Sequence, residues 1–347
     1  MRIAQVAPLA TTVRPDHAGS IEGLVWLLSR ELAALGHEVT VFGAAGSQLP
    51  EPVELVATMP GPYGQNGSPW TWYACEWMSL CRAVEQSARF DVMHAHNYLW
   101  SVPLTPLAGC PMVHTTHIFP DEEEASMWRQ HPDAWISAIS ATQWAAYPDL
   151  RPAAIVPHGV DLAAHTFRAD PDDYVCWLGR FQPGKGPLDA IEVARSLGLR
   201  IVLAGPENDY FKEAVAPRVD ASTVEYVGAL DPVQRDTVLG GARALLYPVH
   251  APEPFGLVLI EAMMSGTPAA AFGVGAAPEI VEEGVTGAIE PVGGDLAPAV
   301  ERCLALDRAR VRDRARARFG ADRMTAQYAA LYTRVHSAAT FAPVASD

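Results

Sequence analysis

Long apolar runs, paired cysteines and positive charge are all scarce in this chain of 347 residues, and each scarcity removes a class of function. No stretch holds 18 uninterrupted apolar residues, so none reads as a membrane span, and the start MRIAQVAPLA has too short an apolar run for a signal peptide. A soluble, cytoplasmic protein is the expectation. The five cysteines, Cys75, Cys81, Cys110, Cys176 and Cys303, are odd in number and nowhere stand in C-x-x-C spacing. That argues against a zinc site and a disulfide framework, and it fits a reducing compartment. With 25 Lys and Arg against 40 Asp and Glu, the formal net charge is -15. Nucleic acid and anionic membrane surfaces are therefore not expected partners, because binding them needs clustered positive charge. The run Arg302, Arg308, Arg310, Arg312, Arg314, Arg316 and Arg318 is a local exception that reads as a solvated helix face.

The length favours two domains of somewhat over 150 residues, and 49% hydrophobic residues with 19% charged are enough to bury large cores. Short apolar runs alternate with longer amphipathic segments, separated by Gly, Pro, Asp or Ser clusters. This is the rhythm of β-α units around parallel sheets. Strands are predicted at 2–8, 38–43, 91–96, 112–116, 135–140 and 154–157, with a helix over 21–35. After a Pro- and Asp-rich stretch at 161–173 the pattern restarts, with strands at 174–179, 200–204, 224–227, 244–248 and 268–272. The reading is an α/β protein of two Rossmann-like, doubly wound halves. Ligands of such sheets bind beyond the carboxyl ends of the strands.

The most informative stretch is Glu253-Pro-Phe-Gly-Leu-Val-Leu-Ile-Glu261. A turn at Phe255-Gly256 opens a helix whose free N–H groups and dipole favour an anion such as diphosphate beside Glu253. Glu261 falls among apolar residues, where it needs donors; ribose hydroxyls or a neighbouring arginine would supply them. In Gly179-Arg180-Phe-Gln-Pro-Gly184-Lys185-Gly186 a predicted strand ends in a glycine-rich turn with two cations. Arg180 can fork onto phosphate oxygens and Lys185 can act as a mobile point charge. The spacing is not that of a P-loop, and no G-x-G-x-x-G follows the first strand, which argues against a nicotinamide-dependent oxidoreductase.

These segments, with LGHEVTVF at 35–42, DVMHAH at 91–96, HTTH at 114–117, VPHGVD at 156–161, AGP at 204–206 and YVGAL at 226–230, closely resemble the retaining glycosyltransferases of family 4 over nearly the whole chain. The resemblance implies the GT-B fold, two facing Rossmann-like domains with a cleft between them. An acceptor domain would span 1–165, a nucleotide-sugar donor domain 166–321, and a C-terminal helix over about 322–347 would pack back on the first. It implies Arg180 and Lys185 on the donor diphosphate, Glu253 facing the donor sugar and His117 near the reaction centre as a contact to donor sugar and acceptor. Phe255, Gly256 and Leu257 would supply backbone contacts, Glu261 would hold the ribose, and Val227, Gly228, Ala229 and Leu230 would face the base. Gly19 and Ser20 form the early phosphate loop, with Ser20 where many relatives carry glycine, and His158 replaces the usual asparagine. His96 lies where acceptor loops gather.

The implied reaction is metal-independent, retaining transfer from a nucleoside diphosphate sugar, UDP preferred, to a hydroxyl of a small-molecule or glycan acceptor. No cofactor is implied. A sugar-nucleotide 2-epimerase of the same fold and a non-catalytic nucleotide-sugar-binding partner are the alternatives. The Ala-, Pro- and Arg-rich composition is similar to that of transferases from actinobacterial antibiotic pathways such as avilamycin. Asp170-Pro-Asp172 spells a D-x-D but sits in a proline-rich linker and is read as solvated. Trp70, Tyr73, Trp77 and Leu80 fall at i, i+3, i+7 and i+10, which predicts a helix stripe packed in the core. The acidic run 121–124 reads as a loop or helix start.

Overall fold

The computed structural model describes residues 1–16, 20–65, 67 and 69–341. The chain divides into two units, residues 1–159 with 321–347, and residues 160–320. In the first, strands β1 (Arg2–Val6), β2 (Glu38–Ala44), β3 (Glu54–Met59), β4 (Val92–Ala95), β5 (Met112–Thr115), β6 (Trp135–Ala138) and β7 (Ala154–Ile155) form one sheet in the order β3-β2-β1-β4-β5-β6-β7. Every pairing is parallel. Helices α1 (Ile21–Ala34), α2 (Trp72–Val84) and α3 (Glu122–Gln130) belong to this unit. The order reverses between β1 and β4, so the loops after these strands diverge and leave a crevice at their carboxyl ends.

The second unit repeats the plan with strands β8 (Val175–Leu178), β9 (Ile201–Ala204), β10 (Val224–Tyr226), β11 (Leu245–Tyr247), β12 (Ala269–Phe272) and β13 (Gly287–Glu290), in the order β10-β9-β8-β11-β12-β13. All its pairings are parallel too. Its helices are α4 (Pro187–Ser196), α5 (Pro232–Gly241), α6 (Leu257–Met264), α7 (Ala277–Ile280), α8 (Ala297–Leu304) and α9 (Arg308–Phe319). The last helix, α10 (Ala321–Phe341), returns to the first unit, where Met324, Tyr328, Leu331 and Tyr332 join Leu24, Leu28 and Leu32 of α1 in one core with Ile3, Val92 and Val113 of the sheet. Each such fully buried side chain contributes roughly 1.5–3 kcal/mol. β3 and β13 were not among the expected strands: β3 is a half-exposed edge and β13 is only four residues long.

Two expectations need correction. The aromatic stripe is not core: Trp70 precedes α2, while Tyr73 is 52% and Trp77 37% exposed, and only Leu80 of the set is buried. The helix instead buries Cys75, Glu76, Ser79, Leu80 and Ala83. Polar demand turns it: Glu76 accepts from the Leu9 amide (2.8 Å) and the Asn97 side-chain amide (2.6 Å), and the Ser79 and Thr58 hydroxyls meet at 2.7 Å. Buried polar groups of this kind need partners, and α2 supplies them here.

The arginine run is also not uniformly solvated. Arg308 is buried and donates to the carbonyls of Arg168 (2.7 Å), Ala242 (2.8 Å) and Gly240 (2.7 Å) and to the Thr267 hydroxyl (2.9 Å). Arg312, one turn on, donates to the carbonyls of His165 and Met264. The planar fork matches carbonyls at the end of α5 and in the neighbouring loops. Arg310, Arg314 and Arg316 remain exposed. Replacing Arg308 with Met removes every one of these donors, so urea unfolding should show a loss of about 3 kcal/mol; a midpoint equal to that of the parent would contradict this role.

Candidate functional site

In the second unit the order reverses between β8 and β11, and both cationic and acidic candidates lie on the loops that follow these two strands. After β8 the chain passes Gly179 and Arg180, makes one helical turn at Pro183–Lys185 and enters α4 through Gly186. Gly186 has φ +66°, and a Cβ there would lie 2.0 Å from the Pro248 carbonyl oxygen, so only glycine allows the two loops to approach this closely. The loops are further tied by the Gly184 carbonyl accepting from the His250 amide (2.9 Å), and Trp177 Nε1 donates to the Lys185 carbonyl (3.1 Å). The Lys185 side chain is thereby aimed at the loop after β11.

There Lys185 Nζ forms an ion pair with Glu253 Oε1, and the Tyr247 hydroxyl, at the end of β11, donates to Glu253 Oε2. Both oxygens of Glu253 are thus oriented. Gly256, φ +101°, turns the chain into α6 in the space beneath the Tyr247 hydroxyl, 2.9 Å from where its Cβ would be. The Glu253 carbonyl accepts from the Ala276 amide just before α7 (3.0 Å), which fixes the loop from its other side. Burial, and secondarily the charge of Arg180, bring the Lys185 ammonium down to about 8. The Glu253 carboxylate in contact favours the charged ammonium against this, and we take the ion pair as formed at neutral pH. Arg180 itself is exposed and has no ion-pair partner among the described residues.

The other donor candidates fall nearby or deeper. Leu257 begins α6, where the Leu259 amide donates to the Gly256 carbonyl (3.1 Å) and the amides of Leu257 and Val258 precede any intrahelical acceptor. The Phe255 ring is buried edge-on against Phe319 at 6.2 Å, so this residue could offer a ligand only its backbone. Glu261 is buried in α6 and pairs with Arg235 of α5. The arginine partner weighed from the sequence is therefore present. Val227, Gly228, Ala229 and Leu230 follow β10, and the Gly228 carbonyl accepts from the Gly205 amide at 2.9 Å. Asp172 pairs with Arg168, and the described residues contain no group of three or more potential metal ligands.

In the first unit, Ser20 caps α1, its hydroxyl accepting from the Gly23 amide (3.0 Å), while Gly19 lies outside the described residues. His117, after β5, is half-buried and stacks on His158 with centroids 5.2 Å apart. Its Nε2 lies 3.1 Å from His96 Nδ1 and its Nδ1 lies 3.5 Å from His158 Nε2. The Gln143 side-chain amide donates to the carbonyls on either side, Thr116 (2.9 Å) and Ile118 (2.7 Å), and so holds the His117 backbone. Gln143, Tyr247 and Arg235 were not singled out from the sequence, because each acts through a partner on another element and leaves no local pattern.

Burial pulls His94, His96 and His158 well below the ordinary 6.5 and His114 and His117 to about 3. The unfolded chain therefore binds more protons than the folded one once pH falls below about 6.5, and stability is lost in that direction. Burial raises Glu76 and Glu124 to about 7, which favours the folded state as pH falls through that value and partly offsets the loss. Five imidazoles outweigh two carboxyls. The unfolding free energy from urea titration is expected to drop between pH 7.5 and 5.5, by more than about 1 kcal/mol per pH unit; an unchanged or higher value at pH 5.5 would show that these rings titrate normally.

Residues 21–164 match the model of Glycosyltransferase Family 4, and residues 163–318 match that of Glycosyl transferases group 1. A glycogen synthase of Mycobacterium tuberculosis (strain ATCC 25618 / H37Rv) is 28% identical over 338 residues, 79% of either chain. A D-inositol 3-phosphate glycosyltransferase of Mycolicibacterium gilvum is 28% identical over 350 residues, covering 82% of this chain and 76% of that one. Among solved structures, AviGT4, a glycosyltransferase involved in avilamycin A biosynthesis, superposes with a TM-score of 0.74 at 27% identity, covering 97% of this chain and 98% of its own. Sucrose-phosphate synthase from Thermosynechococcus elongatus, at 20% identity, shares the fold with a TM-score of 0.76. With two parallel Rossmann-like sheets and family matches that together run from residue 21 to residue 318, this chain belongs to the family 4, group 1 glycosyltransferases of GT-B fold.

Proposed function

We propose that this glycosyltransferase moves a sugar from a nucleoside diphosphate sugar, with uracil the preferred base, to a hydroxyl of a small-molecule or glycan acceptor, with retention at the anomeric carbon and without a metal. The observation that supports it most is the convergence of Arg180, Lys185, Glu253 and the open start of α6 at the switch point of the second sheet. In this reading Arg180 takes phosphate oxygens as a fork, Lys185 leaves Glu253 for the diphosphate, and the first-turn amides of α6 receive negative charge as the sugar–phosphate bond breaks. These groups supply the compensation that a divalent cation gives elsewhere. Glu253, freed from Lys185 but still held by Tyr247, faces the positive charge that develops on the sugar ring. Glu261, with Arg235 beside it, would accept from ribose hydroxyls.

The atoms balance without a covalent enzyme intermediate. The acceptor oxygen bonds to the anomeric carbon as the bond from that carbon to the diphosphate oxygen breaks, and the acceptor proton goes to the departing phosphate. That oxygen gains charge during the step, whereas the depressed His117 is a poor base. His117 and His96 would then serve as acceptor contacts. Similarity to the avilamycin-pathway protein supports an antibiotic-pathway role for this chain.

Lys185→Ala, Arg180→Ala and Glu253→Gln should each lower kcat/KM with a nucleotide-sugar donor by roughly 10²-fold or more, the scale of losing one preorganised charge-stabilising group. Turnover of the parent should survive excess chelator. Unchanged rates in all three variants would remove the proposed site, and loss of activity in chelator would remove the metal-free part.

A further inference from the structure

Gln5 is fully buried near the end of β1, in register with His94 of β4, and its amide links two hydrogen-bonded strings of side chains. Its Oε1 lies 2.9 Å from His96 Nε2, and its Nε2 donates to the Tyr332 hydroxyl at 3.1 Å. An amide oxygen can only accept, so His96 must carry its proton on Nε2. A neutral imidazole holds one proton, which leaves His96 Nδ1 as a lone pair. That lone pair is 3.1 Å from His117 Nε2, and the contact is a hydrogen bond only if His117 donates. His117 Nδ1 is then bare.

The same logic runs the other way. The Tyr332 hydroxyl, having accepted from Gln5, gives its proton to His94 Nδ1 (2.6 Å), and His94 Nε2 donates to the Thr115 hydroxyl (2.7 Å). Each of these contacts then pairs a donor with an acceptor. Neutrality of the rings follows from their setting: the His94 and His96 centroids are 4.0 Å apart, His117 stacks on both His96 and His158, and the Arg323 charge repels a proton on His158. No carboxylate forms an ion pair with any of these rings among the described residues.

We infer that Gln5 is a positioning residue that locks His117 as the neutral tautomer protonated on Nε2, so that His117 meets its substrate through Nδ1 as a hydrogen-bond acceptor. This rests on the reading above, in which His117 touches substrate. Among the described residues the hydrogen-bond contact at Nδ1 is the 3.5 Å approach of His158, long enough for a better donor to replace it. A substrate hydroxyl is such a donor; an ether or carbonyl oxygen at the same place is not. His117 therefore orients a hydroxyl and selects for it, and the planar Gln5 amide blocks any relay of a proton from His96 onward to Tyr332.

Long-range proton–nitrogen correlation spectra of the full chain with nitrogen-15 histidine, ligand-free at pH 7 and assigned by loss of signals in His117→Asn, read the tautomer directly. The expected result is a single neutral form of both His117 and His96 with the proton on Nε2. A proton on Nδ1 of His117, which the opposite Gln5 amide orientation would impose, or an imidazolium, would overturn the inference. In Gln5→Met the His117 tautomers should mix and kcat/KM should fall about tenfold, one hydrogen bond's worth, whereas Gln5→Glu, whose carboxylate can still accept from His96, should keep His117 and invert His94. A Gln5→Met protein with the parental His117 tautomer would also overturn it. The spectrum needs no substrate, so it stands whether or not glycosyl transfer is observed.

Discussion

The ion pair between Lys185 and Glu253 joins the loop after β8 to the loop after β11, the two strands between which the order of the second sheet reverses. Its existence depends on backbone that only glycine can supply at Gly186, and on Tyr247, which holds the second oxygen of Glu253 from below. An ion pair at half-buried side chains has a modest net worth, since desolvation opposes attraction. Its significance is positional. Two opposite charges, which in the proposed reaction a diphosphate sugar would engage separately, are held together here, and Arg180 has no ion-pair partner among the described residues.

The first unit answers the same topological problem with neutral chemistry. Where β8 and β11 present charges, β4 and β5 present imidazoles, and burial keeps those rings uncharged. Neutral rings can fix a hydroxyl by direction without competing for its proton. The helix that completes this arrangement, α10, comes from the far end of the chain, so that Tyr332 reaches Gln5 and His94 near its start.

Much of the architecture was legible because parallel strands buried on both faces read as short apolar runs, and IAQV, EVTVFG and VCWL stand out between turn residues. The family was legible because charged residues in fixed spacing around Pro and Gly are few and ordered. What was not legible shares one cause. The partners of Glu76, Arg308 and Gln5 lie 67, 140 and 327 residues away, and no periodicity records a hydrogen bond across such distances. The α2 stripe misled for that reason: Glu76 and Ser79 face inward because distant loop amides and hydroxyls need them, which turns Tyr73 and Trp77 outward. Glu261 posed a choice between ribose and arginine that spacing could not make, and Arg235 of the neighbouring helix is its partner in the ligand-free chain.

The central claim is that the second unit carries a nucleoside diphosphate site built on Arg180, Lys185 and Glu253. Isothermal titration of UDP into the parent and into Lys185→Ala at fixed salt tests it most directly. Saturable one-to-one binding that weakens at least tenfold on loss of the ammonium is the result expected, since a charge-assisted hydrogen bond to phosphate contributes about 1.5–3 kcal/mol. Equal affinity in the two proteins would contradict the account.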